Sequence, residues 1–264
     1  MIAEANDFRD ESLALHALIS SRDPDWDAPT QFKGWTLNNV LRHLHFWNIA
    51  ADLSLDDEPA FDDLLARMGR SAGGGRMTDV EAELLDGLSG AELLDAWRAR
   101  LDPMTERFTA ADPKQRLKWV GPTMSARSSI TARLMETWAH GQEVYDAFGV
   151  VRENQDRIRS ICVLGMNTFG WTFMNRKEAV PERVPYVRLT APSGTVWEWN
   201  DPATDERIEG PAEDFCQVVT QVRNIADVSL DVTGPVATRW MSIAQCFAGP
   251  PNDPPAPGTR FTAT

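Results

Sequence analysis

The hydrophobic period of this chain changes once, near residue 178, and that change limits the folds open to it. Upstream, apolar residues recur at helical intervals: Phe8, Leu15 and Ile19 within residues 2–21, and Val40, Leu44 and Trp47 around His43 in "LNNVLRHLHFWNIAADL". Downstream, "VPYVRLTAPSGTVWEWND" alternates apolar and polar residues on both sides of Pro192-Ser193-Gly194, the pattern of a β-hairpin. "ERIEG" follows as a third strand, "PAEDFCQVVTQVRNI" as a helix opened by proline, "VSLDVTG" as a strand and "PVATRWMSIAQCFAG" as a last helix. The patterning predicts an α+β chain, with a bundle of at least four long helices over residues 1–178 and a small α+β domain over 179–264.

Turn chemistry divides the helical part. "SRDPDWDAPTQFKGW" is a loop, and Thr36 is placed to cap the helix that follows it. "SAGGGR" breaks the chain at residues 71–76. Thr78 with Glu81 and Ser89 with Glu92 have capping-box spacing. The helix "AELLDAWRARLDPMTERF" is expected to be interrupted or kinked at Pro103, and one continuous helix is expected over "NQDRIRSICVLGMNTFGWTFMNR".

Composition removes several function classes. No run of about 18 apolar residues marks a transmembrane helix, and the acidic, amphipathic N-terminus has no secretory pattern. Cys162, Cys216 and Cys246 are odd in number and form no CxxC pair, as expected for a cytoplasmic protein with reduced thiols. A net charge of −13 repels phosphate backbones and anionic lipid, which argues against a nucleic-acid or membrane partner. The oligomeric state is open, and a homodimer is compatible with the sequence.

The chemistry concentrates in "RLMETWAHGQEVYDAFG", where Glu136 and His140 stand four residues apart and so share one side of a helix. That spacing suits a shared metal ion and equally an ordinary hydrogen-bonded pair. The chain has four histidines, His16, His43, His45 and His140, so a third imidazole ligand must come from these. His43 lies on the apolar stripe of its helix, while His45 is about 200° around from it. His43, Glu136 and His140 together would give a His₂Glu set with an open position, the composition of a catalytic divalent site. The same three residues would read as a core histidine beside a Glu–His pair if no ion is held. Glu136 and His140 also lie off the strongest apolar stripe of their helix (Ile130, Leu134, Trp138 and Tyr145), so they reach the interior only if that helix is buried most of the way round.

These segments resemble a known family. "GWTLNNVLRHL" resembles the second-helix motif of the DinB-like metal-binding bundles, and "METWAHGQEVYDAFG" resembles their third-helix Glu-x-x-x-His. The segment from "VRLTAPSGTVWEWN" to "MSIAQCFAGPP" resembles the small domain appended to relatives of the mycothiol-dependent maleylpyruvate isomerase. The resemblance spans nearly the whole chain and is strongest to a bacterial branch sometimes labelled "wyosine base formation". It implies an antiparallel four-helix bundle holding a divalent metal, zinc first and nickel second, on His43, Glu136 and His140. It also implies a metal that activates a low-molecular-weight thiol, or water, for isomerisation or S-transfer on a small electrophile. A non-catalytic protein with a structural or sensory ion is the alternative, and it would be favoured if His45 supplied a fourth ligand. A tRNA-related role, as the branch label suggests, is opposed by the charge.

Arg223 and His45 are further candidates for binding substrate. Arg223 could pair with a carboxylate, although a cation at a helix C-terminus is the simpler reading. His45 is expected to be exposed. Arg239 and Trp240 raise the same question as Arg223, Cys162 is expected to be inert core, and Glu143 is expected to be either a general base or a solvated carboxylate.

Overall fold

The structure, a computed structural model, describes residues 1–71 and 75–263. Ala72, Gly73 and Gly74, at the centre of the expected "SAGGGR" break, lie outside the described residues. The architecture is α+β and divides into two compact units, Met1–Val144 and Tyr145–Thr264. That division falls before the 178/179 boundary expected from the change of period. The helices of residues 159–175 pack on the C-terminal helices (see below) and belong with them, although their own sequence is helical in period.

The first unit contains α1 (Glu4–Ser20), α2 (Leu37–Asp56), α3 (Glu58–Ser71), α4 (Met77–Leu84), α5 (Gly90–Ala110), the short antiparallel pair β1 (Arg116–Leu117) and β2 (Met124–Ser125), and most of α6 (Ala126–Ala147). α2 starts at Thr36, whose hydroxyl accepts from the Asn39 amide while the Asn39 side chain accepts from the Thr36 amide. Those two bonds satisfy backbone donors that a helix start leaves open. α1 packs on α5, and α2 packs on α3, α4 and α5. Phe8, Leu15 and Ile19 of α1 and Trp97, Leu101, Met104 and Phe108 of α5 are fully buried, each large side chain contributing about 1.5–3 kcal/mol of transfer free energy. Asp52 of α2 also receives Arg100 Nη1 at 2.9 Å and Arg107 Nε at 2.7 Å, which ties α2 to α5 through a buried carboxylate.

Three local expectations give way. α5 runs through Pro103, so of the expected interruption or kink the interruption does not occur, and the proline removes one helical hydrogen bond at that point. Neither expected capping box forms: α4 is capped at Arg76, Ser89 caps α5 without a side-chain bond, and Glu81 is buried with its carboxylate engaged elsewhere. The helix expected over residues 154–176 is a 3₁₀ turn (Asp156–Ile158), then α7 (Arg159–Asn167) and α8 (Phe169–Asn175). Thr168 makes the break, its hydroxyl donating back to the carbonyls of Leu164 and Gly165.

In the second unit α7 and α8 accompany β3 (Tyr186–Thr190), β4 (Val196–Trp199), β5 (Arg207–Pro211), α9 (Ala212–Val219), β6 (Asp231–Thr233) and α10 (Pro235–Ile243), in the order the alternation predicts. The sheet order is β4-β3-β5-β6, with β3 and β5 parallel and the other pairs antiparallel. Val187, Leu189 and Ile208 of the sheet are buried, as are Phe215, Val218 and Val219 of α9. α7 meets α9 at Gly165, where a Cβ would stand 3.0 Å from the Phe215 ring and 3.1 Å from Val219. α8 packs on α10, with Phe169 edge-on to Trp240 at 5.0 Å.

Gly234 opens α10 at φ +96°, and Glu206 caps that helix by accepting from the amides of Val236 (3.1 Å) and Ala237 (2.8 Å). A Cβ at Gly234 would lie 2.1 Å from the Asp205 carbonyl oxygen. Gly234→Ala should therefore cost roughly 3 kcal/mol of stability or more, from a backbone region closed to L residues together with that clash. Urea denaturation of the variant beside the natural chain measures the loss.

Candidate metal centre

α2, α4 and α6 of the first unit bring His43, Glu81, Glu136 and His140 together. α6 is buried around most of its circumference, with Ser129, Ile130, Arg133, Leu134, Met135, Thr137, Trp138, His140, Gln142, Glu143 and Val144 all buried. The condition for Glu136 and His140 to point inward is thereby met. Nε2 of His43 lies 3.5 Å from Glu136 Oε2, and Nε2 of His140 lies 3.4 Å from the same oxygen. One ligand atom from each of the three residues falls within 4.8 Å of the other two, the one such group of His, Cys, Asp and Glu among the described residues. Donors around a tetrahedral zinc, at roughly 2.0–2.2 Å from the ion, stand about 3.3–3.6 Å apart. The two measured separations lie in that range, and two imidazoles with one carboxylate are a borderline-soft donor set of the kind zinc and nickel take.

Glu81 of α4 is the residue the sequence misassigned. Its side chain is fully buried, and its Oε1 accepts both from His43 Nδ1 at 2.7 Å and from Trp47 Nε1 at 3.0 Å. The Thr78-x-x-Glu81 spacing drew the carboxylate to a helix cap, whereas its position two residues further into α4, where it meets His43 and Trp47 of α2, is set by packing. Arg133, one turn before Glu136 on α6, is buried too, donating from Nε to Asn48 Oδ1 at 3.0 Å.

The charges follow from this enclosure. Burial alone would depress His43, but its bonds to Glu136 and Glu81 outweigh that and raise it to about 9. Burial would raise the Glu136 carboxyl, but the bonds from His140 and His43 hold it well below the usual range. His140 is pushed down by burial and by the His43 charge beside it, against the pull of Glu136. Without an ion the cluster is thus one imidazolium, one neutral imidazole and one carboxylate.

An aromatic hairpin covers these rings. Phe32-Lys33-Gly34-Trp35 is a tight turn with φ +52° at Lys33 and +69° at Gly34, closed by the Trp35 amide donating to the Phe32 carbonyl at 2.8 Å. The turn places Trp35 parallel to His140 at 5.3 Å between centroids and tilted on His43 at 5.2 Å, with Phe32 edge-on to His140 at 5.1 Å.

Comparison with known proteins gives the family and the fold. The family model described as the mycothiol maleylpyruvate isomerase N-terminal domain matches residues 7–145, nearly coincident with the first unit. The chain belongs to this family. Two Mycobacterium tuberculosis relatives, the uncharacterized protein MT0041 of strain CDC 1551 / Oshkosh and the uncharacterized protein Rv0036c of strain H37Rv, are each 40% identical over 246 residues. The alignments cover 93% of this chain and 95% of each relative. The crystal structure of the mycothiol-dependent maleylpyruvate isomerase superposes with a TM-score of 0.53 at 13% identity, covering 81% of this chain and 86% of that one. A histidine-to-alanine mutant of that enzyme gives 0.52 with the same identity and coverage. At that identity the likeness establishes the fold.

Several of the other candidates of this mycothiol maleylpyruvate isomerase family chain are placed differently from the expectations. His45 is buried, not exposed, and is not part of the metal-ligand group. It sits on the far side of α2 from His43, toward Arg100, and burial with that positive charge lowers it to about 4. An imidazole whose folded pKa is below its unfolded value of about 6.5 supports stability above pH 6.5 and loses that support as pH falls toward 4. The wild type should accordingly lose roughly 3 kcal/mol more between pH 7 and 4 than His45→Asn does, as read by denaturant titration. Arg223 is buried and donates from Nη2 to Asp146 Oδ1 at 2.7 Å within the second unit, so its guanidinium is held by an internal carboxylate rather than by the end of α9. Glu143 is buried rather than solvated. Arg239 pairs with Glu178 at the surface, and Trp240 is core. Cys162 and Cys216 are buried with Sγ atoms 3.5 Å apart, and burial pushes the Cys216 thiol up, as inert packing residues require. No helix among the described residues is long and apolar enough to cross a membrane.

Proposed function

We propose that this protein is a divalent-metal-dependent enzyme of the first unit's fold, holding zinc, or nickel in its place, on His43 Nε2, His140 Nε2 and Glu136. The observation that carries the reading is the convergence of those three donors at 3.4 and 3.5 Å separations in a partly buried, aromatic-lined corner. An ion held there supplies Lewis acidity, lowering the pKa of a bound thiol or water so that the nucleophile exists near neutral pH. The long helices α1, α2, α5 and α6 form the antiparallel four-helix bundle that holds the ligands, with the C-terminal α+β part as a distinct domain. The substrate class is a small electrophile that undergoes isomerisation or S-transfer with a low-molecular-weight thiol; the similar solved enzyme is named a mycothiol-dependent isomerase. The site of action is the cytoplasm.

The chain's own residues do the orienting. Glu136 stands between two imidazoles and balances charge, Trp35 stacks on His140 and fixes that ring's plane, and Phe32 and Trp35 exclude water from one side. The test is a thiol screen: metal-loaded protein with mycothiol, or a shorter cysteinyl thiol, and a conjugated keto acid or other soft electrophile. Thiol-dependent turnover that disappears in His140→Ala supports the proposal. Full metal occupancy without turnover across the screen contradicts the enzyme reading and favours a sensory or structural ion.

A further inference from the structure

The buried Glu81 carboxylate has no part in the ligand set, yet it makes the shortest contact to any of the three ligands, 2.7 Å to His43 Nδ1. It is reached from a separate helix, α4, and is completely enclosed. Its Oε1 is also fixed by Trp47 Nε1, one turn along α2 from His43, so the acceptor cannot swing away from the imidazole. Its second oxygen, Oε2, has no hydrogen-bond partner. A carboxylate buried this way is costly unless something requires it. Nδ1 of His43 must donate to that acceptor, which leaves Nε2 as the nitrogen directed to Glu136. A negative charge accepting the far N–H also makes the imidazole a better electron-pair donor.

We infer that Glu81 is the positioning residue of the centre: it fixes the tautomer and ring plane of His43 and strengthens Nε2 as a ligand. This rests on the metal-site reading above. The test is zinc affinity by competition with a chromophoric chelator, on full-length wild type, Glu81→Gln and Glu81→Ala, each normalised to its folded fraction. It is joined by NMR observation of the His43 Nδ1–H resonance in the zinc-loaded proteins. Glu81→Ala should weaken zinc by about 10- to 100-fold and lose the slowly exchanging Nδ1–H signal. Glu81→Gln keeps an acceptor of the same size without the charge, so it should retain the signal and fall between the two in affinity. If Glu81→Ala binds zinc within twofold of wild type, or keeps the protected Nδ1–H, Glu81 is only a packing residue of α4 and the inference is overturned. Wild type that binds no zinc overturns the metal reading itself, a result separate from equal binding by both proteins.

Discussion

Glu136→Gln should weaken zinc binding by at least about a thousandfold, a larger loss than that of substituting Glu81, because loss of an outer partner alone costs roughly 10- to 100-fold. Glu136 is the one anionic donor of the set and the atom to which both imidazoles point, at 3.5 and 3.4 Å. The amide conserves the volume, so α6 should keep its packing. The substitution also removes one of the two carboxylates that raise His43, leaving Glu81, so the histidine's pKa in the ion-free protein should fall below about 9. Chelator competition gives the first quantity and NMR titration of His43 the second. Unchanged affinity would place the ion elsewhere.

Proton competition is the second large effect. In the ion-free protein His43 carries a proton up to about pH 9, whereas His140 and Glu136 are both held below their ordinary values. Loading near neutral pH therefore displaces about one proton, from His43 Nε2. Zinc affinity in metal-buffered solution should rise about tenfold per pH unit from 6.5 and level off near 9. Stability runs the other way without an ion. A histidine raised in the folded state supports stability fully below the unfolded value of about 6.5 and loses that support as pH climbs through 9. The gap between the melting temperatures of loaded and ion-free protein should thus widen from pH 6.5 to 9. Calorimetry in two buffers of different ionisation enthalpy counts the proton. Release of none would contradict the charge assignment.

Much of this site was legible in the residues, and the parts that were not have a common physical cause. The period of α2 places His43 inward, and the i, i+4 spacing places Glu136 and His140 on one side of α6, because both follow from helix geometry alone. The order of strands and helices in residues 186–243 was legible for the same reason, each element carrying its own alternation or helical period. Glu81 was not, because Thr78-x-x-Glu81 is a local signal and the contact with His43 spans 38 residues. Arg223 resembled a helix-terminal cation, and only the fold supplies Asp146, 77 residues away. His45 was expected in solvent because α2 was read as having one buried stripe. Packing by α3, α4 and α5 buries it on several sides. The break at Thr168 depends on a hydroxyl that competes with the helix for backbone carbonyls, a choice that sequence period does not encode.

The central claim is that His43, Glu136 and His140 hold one divalent ion. Elemental analysis of protein purified without a metal-affinity tag, wild type beside His140→Ala, tests it most directly. About one zinc or nickel per chain in the wild type, and almost none in the variant, is the expected result. No bound metal in the wild type, even after incubation with zinc or nickel, would contradict the claim and make Glu136 and its two histidines a buried structural ion pair.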